Sequence, residues 1–148
     1  MPDSAIPPTA RPPADVALSF SGLSVGYGDR TILRDIDMVV RPGQVVAIMG
    51  GSGSGKTTLL RAAVGQLAPQ KGTVQAFGQD LSRLSGDAVF TVRKRMGVLF
   101  QQGALFTDLD VYENVAFPLR EHTDWPESKI RETVLAKLQA DGLKAAAF

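Results

Sequence analysis

Residues 45–58 leave this chain few folds to choose from: Val-Val-Ala-Ile-Met runs directly into Gly-Gly-Ser-Gly-Ser-Gly-Lys-Thr-Thr. Five apolar residues with no polar interruption read as a strand covered on both faces, the pattern of a parallel sheet interior. Beyond the glycines, Leu59, Leu60, Ala63, Val64 and Leu67 recur at helical spacing, and Pro69 stops the pattern. A strand that turns through glycines into a helix brings several main-chain N–H groups toward one point. The unpaired first-turn amides and the positive end of the helix dipole face the same point, which makes it a place for an anion.

The spacing of Gly50, Gly55, Lys56 and Thr57 is that of a phosphate-binding loop. Glycine permits the sharp turn and the close approach of backbone to ligand. Lys56 is a mobile positive charge for the β- and γ-phosphate oxygens, and the Thr57 hydroxyl suits the Mg²⁺ that bridges them. Gly51, Ser52, Gly53, Ser54 and Thr58 complete the expected cradle for the nucleotide. A flexible glycine–serine linker would not be flanked by five apolar residues and then Leu59-Leu60.

The rest of the chain sets bounds. Its 148 residues fit one domain, and 44% hydrophobic with 21% charged residues is the balance of an ordinary globular protein. A net charge of +1 gives no electrostatic footprint for nucleic acid, and none is expected as a partner. The absence of cysteine removes disulfides and thiolate metal sites. No apolar run approaches the roughly 18 residues of a membrane span, so a cytoplasmic chain is expected. Residues 1–15 hold five of the nine prolines and little apolar bulk, the composition of a disordered tail.

From Val16 the pattern is folded. Val16, Leu18 and Phe20 alternate as a half-buried strand, and Gly26-Tyr27-Gly28-Asp29 reads as a turn. A second strand runs from Leu33 to Val40, and Thr73 to Phe77 is another. Residues 80–95 read as a helical or mixed connection, and Gly97 to Gln101 as a second buried strand. Asp110 to Phe117 is a short helix with Asp110 and Glu113 at capping spacing. A last helix spans about Trp125 to Ala140, with Ile130, Val134 and Leu138 on one face and Gly142 closing it. Arg93-Lys94-Arg95 reads as a solvated basic face, and His122 has no second ligand nearby in sequence.

Around the phosphate loop the chain resembles the ATP-binding subunits of ABC transporters, over Val16 to the C-terminus. The resemblance rests on the loop itself, on Tyr27 upstream of it, on Gln101 after Val98-Leu99-Phe100, and on Val111-Tyr112-Glu113-Asn114-Val115. It implies that Tyr27 stacks on adenine. It also implies that Gln101 is the Q-loop glutamine, touching Mg²⁺ and the attacking water and sensing a transmembrane partner. Thr91–Met96, Phe100-Gln101, Gly103–Thr107 and Phe117–Thr123 resemble the Mla-type branch, which powers phospholipid trafficking between the membranes of double-membraned bacteria. Related members serve lipid, toluene-resistance and mammalian-cell-entry transporters.

The expectations that follow are an α/β P-loop NTPase fold, with residues 16–148 as the N-terminal part of an ABC-type nucleotide-binding domain. The resemblance implies ATP and Mg²⁺ as cofactors, a transmembrane permease subunit and a second copy of the ATPase subunit as partners, and a place on the cytoplasmic face of the inner membrane. Lys56 and Gln101 would serve catalysis, and Thr57 and Gln101 the metal. Phe100, Leu105, Phe106 and Phe117 suit either a core or a groove for a membrane-subunit helix. The sequence has no Asp-Glu pair, no apolar strand ending in a carboxylate and no Leu-Ser-Gly-Gly-Gln-type loop. Truncation with an incomplete core sheet is therefore expected, leaving open edges and a fragment without turnover of its own. Alternatives are an ABC ATPase for another substrate, such as an amino acid or metal complex, an ABC protein acting on ribosomes or DNA, and a non-hydrolysing nucleotide-binding module.

Overall fold

The computed structural model describes residues 15–101 and 103–143; the proline-rich tail, apart from Asp15, lies outside them. The chain divides into two compact units, one reaching to Met96 and the other starting at Gly97.

The first unit is built on a four-stranded antiparallel sheet of order β2-β1-β3-β4: β1 Leu18–Tyr27, β2 Arg30–Val40, β3 Lys71–Ala76 and β4 Gln79–Asp80. A tight turn at Gly28-Asp29 joins the first two strands and sets Tyr27 opposite Arg30, while Leu18 pairs with Val40 on one side and Ala76 on the other. Two helices belong to this unit, α1 Lys56–Ala63 and α2 Asp87–Arg93. Phe20, Leu23, Val25, Val74 and Ala76 from the sheet bury themselves with Leu59 and Ala62 of α1 and Val92 of α2. That apolar contact, rather than the propensity of an eight-residue helix, holds α1 in place.

Two expected strands are not formed. Val45 to Met49 and Gly97 to Gln101 are extended or turn segments with no ladder partner among the described residues. The sheet observed is accordingly antiparallel, and its interior is not the glycine-flanking ribbon. Val45 and Met49 are 98% and 90% exposed, whereas Val46 and Ile48 are about half-exposed and line an apolar cavity of about 250 Å³ with Met38, Val40 and Leu60. The ribbon alternates as extended chain must, one side inward and one outward. Apolar composition made both faces look covered, but a strand also needs neighbours for its N–H and C=O groups. Leu99, in the second of these segments, is 89% exposed.

Lys94 and Arg95 of the basic run are exposed, as expected of a solvated face, but Arg93 is only partly so and turns inward. Arg93 donates from Nε to the Val64 carbonyl at 2.9 Å and from Nη2 to the Gly65 carbonyl at 2.6 Å, satisfying acceptors at the C-terminal end of α1. Arg95 lies over the Phe77 ring, 4.0 Å from its centroid. Arg93→Ala should destabilise the unit by about 2 kcal/mol, the scale of charge-assisted hydrogen bonds lost at a helix end. Arg93→Lys should restore less than half of that, because a single ammonium cannot copy the fork. Urea unfolding checks both, and a lysine variant as stable as the parent would show that charge alone suffices.

The second unit is a helical hairpin of α3 Val111–His122 and α4 Glu127–Ala140. The expected cap is present: Asp110 Oδ1 accepts from the Glu113 N–H at 2.7 Å. Ile130, Val134 and Leu138 are buried against Ala116, with Tyr112, Val115 and Leu119 around them. Gly142, at φ 74°, ends α4 in a Schellman arrangement, with Leu143 N–H on the Leu138 carbonyl and Gly142 N–H on the Gln139 carbonyl. Helix α3 runs longer than its pattern implied, to His122 through Pro118. Asn114 fastens the preceding loop, its amide donating to the carbonyls of Phe106, Leu109 and Asp110 and accepting from the Phe106 N–H.

Arg120 joins the two helices on the surface, bonded to Glu127 through Nε and Nη2 and to Glu113 through Nη1. The guanidinium's hydrogen bonds, and then its charge, hold the Glu127 carboxyl below its ordinary value, while Arg120 is held above its own. A depressed carboxylate stabilises the fold above its unfolded pKa, and that contribution is lost as pH falls through the folded value. Thermal midpoints should therefore lose this part of their stability only below about pH 4. Glu127→Gln should flatten that acid limb while leaving the slope near neutrality unchanged, and an unchanged acid limb would discount the clamp.

Candidate nucleotide site

In the first unit the glycine-rich turn meets the end of β1. Gly53 and Gly55 have φ of 77° and 96°, the left-handed region that a Cβ disfavours, and Gly55 is the residue from which α1 starts. Lys56 folds back over the turn: its Nζ donates to the carbonyls of Gly50 and Gly51 at 2.8 and 2.7 Å and approaches Ser54 Oγ at 3.4 Å. The ammonium thus ties both limbs of the loop together and sits at the mouth of α1, where the helix leaves its first N–H groups unpaired.

A cavity of about 200 Å³ opens here, bounded by Tyr27 and Ile32 on the strand side and by Gly53, Ser54, Gly55, Lys56, Thr57 and Thr58 on the helix side. Of the residues read from sequence as nucleotide contacts, the structure brings these together in one concavity; Gly50, Gly51 and Ser52 form the limb of the loop leading into it. Thr57 is exposed at the cavity while Thr58 is buried. Gln101 belongs to the second unit. A larger cavity of the first unit, about 480 Å³, is lined by Asp29, Arg34, Asp35 and Lys71 among others. It mixes acids with bases and has no converging glycine turn, so the smaller cavity is the one equipped for phosphate.

Tyr27 is 43% exposed, and its phenol oxygen accepts from Arg61 Nη1 at 3.0 Å. The Thr58 hydroxyl, and then the Arg61 guanidinium, hold the phenol below its usual value against an opposing effect of burial. Sequence reading did not single out Arg61. The signal was there: Arg61 stands at i+4 from Thr57 and i+3 from Thr58, a helical neighbour of each on a helix whose start was already identified.

Among the described residues no group of three or more His, Cys, Asp or Glu side chains is arranged to hold a metal. A magnesium ion carried by phosphates needs no such cluster, because one hydroxyl, the phosphate oxygens and water supply its oxygen ligands; Thr57 at the helix start fits that donor set. No described helix is long and apolar enough to cross a membrane.

The sequence matches the family model described as "ABC transporter" over residues 33–148. The chain belongs to the ABC transporter family. It is 52% identical over 130 residues to the "Intermembrane phospholipid transport system ATP-binding protein MlaF" of Haemophilus influenzae, covering 88% of this chain and 49% of that protein. It is 40% identical over 140 residues to the "Probable ribonucleotide transport ATP-binding protein mkl" of Mycobacterium leprae, covering 95% of this chain and 40% of that one. Among solved structures, cbiO1 from Clostridium perfringens, part of the ABC transporter complex cbiONQ, superposes with a TM-score of 0.76 at 30% identity over 90% of this chain and 53% of that one. The ATP-binding cassette MJ0796, in a dimeric post-hydrolysis state bound to ADP and Pi, superposes at 0.74 and 26% identity, over 82% and 56% of the two chains. The chain spans about half the length of the curated relatives and solved chains it matches, and the superpositions place the observed α/β architecture within the ABC ATPase fold.

Proposed function

We propose that this chain forms the nucleotide-holding part of the ATP-binding, energy-coupling subunit of an ABC transporter that moves phospholipid or another lipid between membranes. The observation that carries the ATP reading is the single cavity in which Tyr27 faces the loop of Lys56 and Thr57. In it the adenine lies on the Tyr27 ring, the loop from Gly50 to Gly55 surrounds the phosphates with main-chain donors, and Lys56 neutralises them. Thr57 would hold the Mg²⁺, which when bound draws charge from the β- and γ-phosphates. Lys56 keeps its loop contacts through two donors, and its third, now on the long 3.4 Å contact with Ser54 Oγ, would pass to a phosphate oxygen. Gln101 would orient water and report on the membrane partner.

The lipid reading is supported by the 52% identity to the phospholipid-system protein. A second copy of the subunit is supported by the dimeric state of the MJ0796 cassette, and a permease by the complex to which cbiO1 belongs. Phe100, Leu105, Phe106 and Phe117 are all between 39% and 68% exposed, and the rings of Phe106 and Phe117 meet at 4.7 Å. They are not core residues, which favours their use as the apolar surface for a membrane-subunit helix at the inner face of the membrane.

The likeness to the mycobacterial protein supports a second reading, a different cargo on the same engine. Reconstitution of the subunit with its membrane partner in vesicles decides between them. ATP-driven transfer of a fluorescent phospholipid is expected. Transfer of a ribonucleotide instead would favour the second reading, and movement of neither would remove both.

A further inference from the structure

The bond between Tyr27 and Arg61 joins the strand side of the cavity to the helix whose first turn forms the other side. Tyr27 is the last residue of β1 and is followed at once by the Gly28-Asp29 turn, so little backbone beyond it restrains its ring. With 43% of its surface exposed, few neighbours restrain the ring either. A ring in that position must lose side-chain freedom when a flat ligand settles on it, and that loss is subtracted from affinity. Arg61 stands on α1, the helix whose first residues, Lys56 and Thr57, line the phosphate end. Its Nη1 hydrogen bond to the phenol oxygen, 3.0 Å long, ties the ring to that helix one turn beyond the phosphate end.

From this we infer that Arg61 is a positioning residue for nucleotide binding: it fixes the Tyr27 ring, through the phenol oxygen, at a set distance from the phosphate loop. The inference rests on the reading of Tyr27 as the base-stacking side chain. Arg61 itself touches neither phosphate nor base in this arrangement. It orders the ring before the nucleotide arrives, so the ordering entropy is already spent at the moment of binding. Buried Thr58, on the same helix, also bonds the phenol, in keeping with the direction in which that group's acidity is moved.

The test is a double-mutant cycle of Arg61→Met and Tyr27→Phe on the full-length subunit, read by calorimetric titration with ATP and, separately, with inorganic tripolyphosphate. Tripolyphosphate uses the phosphate loop but has no base. Arg61→Met should weaken ATP about three- to tenfold, the scale of ordering one side chain, and leave tripolyphosphate unchanged. Tyr27→Phe keeps the ring and removes the oxygen that both Arg61 and Thr58 hold, so it should weaken ATP at least as much, and the double variant should be no weaker than Tyr27→Phe alone. Equal weakening of both ligands by Arg61→Met would show that it acts through the helix or the loop, overturning the inference. So would an unchanged ATP affinity, or losses that multiply in the double variant. Tyr27→Ala separates the underlying reading: it should weaken ATP by tenfold or more while sparing tripolyphosphate. ATP affinity retained in Tyr27→Ala would remove base stacking itself, whereas its loss there with no effect of Arg61→Met would remove only the role of Arg61.

Discussion

Lys56→Ala is expected to weaken ATP binding by roughly a hundredfold or more, the largest effect of any single substitution in the chain. Two losses add. The first is direct: charge-assisted hydrogen bonds from an ammonium to phosphate oxygens are worth about 1.5–3 kcal/mol each, and about 1.4 kcal/mol is a factor of ten. The second is in the loop. With Nζ gone, the carbonyls of Gly50 and Gly51, now held at 2.8 and 2.7 Å from it, repel each other and turn to water, and the glycine turn loses its tie. Lys56→Arg distinguishes the two, since it keeps the charge but not the compact reach, and should recover only part of the affinity. A fluorescent ATP analogue titrated into each variant measures both. An alanine variant within about threefold of the parent would place the phosphates elsewhere.

Gly55→Ala should cost both stability and binding. Its φ of 96° lies where an L side chain is strained, by about 1–2 kcal/mol. A Cβ there would also stand 2.8 Å from Leu33 Cδ2 and 3.1 Å from Ile32 Cγ2, contacts that only a shift of those side chains can relieve. Ile32 lines the nucleotide cavity, so that shift reaches the site. For a unit of this size the strain corresponds to a thermal midpoint lower by roughly 5–10 °C. ATP affinity should fall at least tenfold, because Gly55 aims the first N–H groups of α1. Gly51→Ala is the control for stability: its φ is not positive and nothing lies within 4 Å of the added carbon, so its midpoint should stay close to that of the parent. Equal midpoints for the two variants would mean that the turn at residue 55 relaxes without cost.

The parts of the fold that could be read in advance are those decided by local rules. The helix start after Gly55, the Asp110 cap on the Glu113 N–H, the buried stripe of Ile130, Val134 and Leu138 and the Gly142 stop each depend on residues within about eight positions of one another. The misread parts depend on who the neighbours are. Val45 to Met49 is apolar enough for a sheet interior, yet no described strand pairs with it. Arg93 looked like solvated charge because nothing in its own segment reveals that the carbonyls of Val64 and Gly65 lie within its reach.

For the site the division is similar. The order of residues 50–58 already dictated a phosphate-sized turn with one lysine and one hydroxyl, because glycine φ angles, helix-end amides and side-chain charge are properties of a short stretch of chain. That Tyr27 shares one concavity with this turn and that Arg61 holds its oxygen follow from packing α1 on β1 through Phe20, Leu23, Val25, Leu59 and Ala62. Those residues are dozens of positions apart, and only burial of shared apolar surface, which no local pattern encodes, brings them within hydrogen-bonding distance.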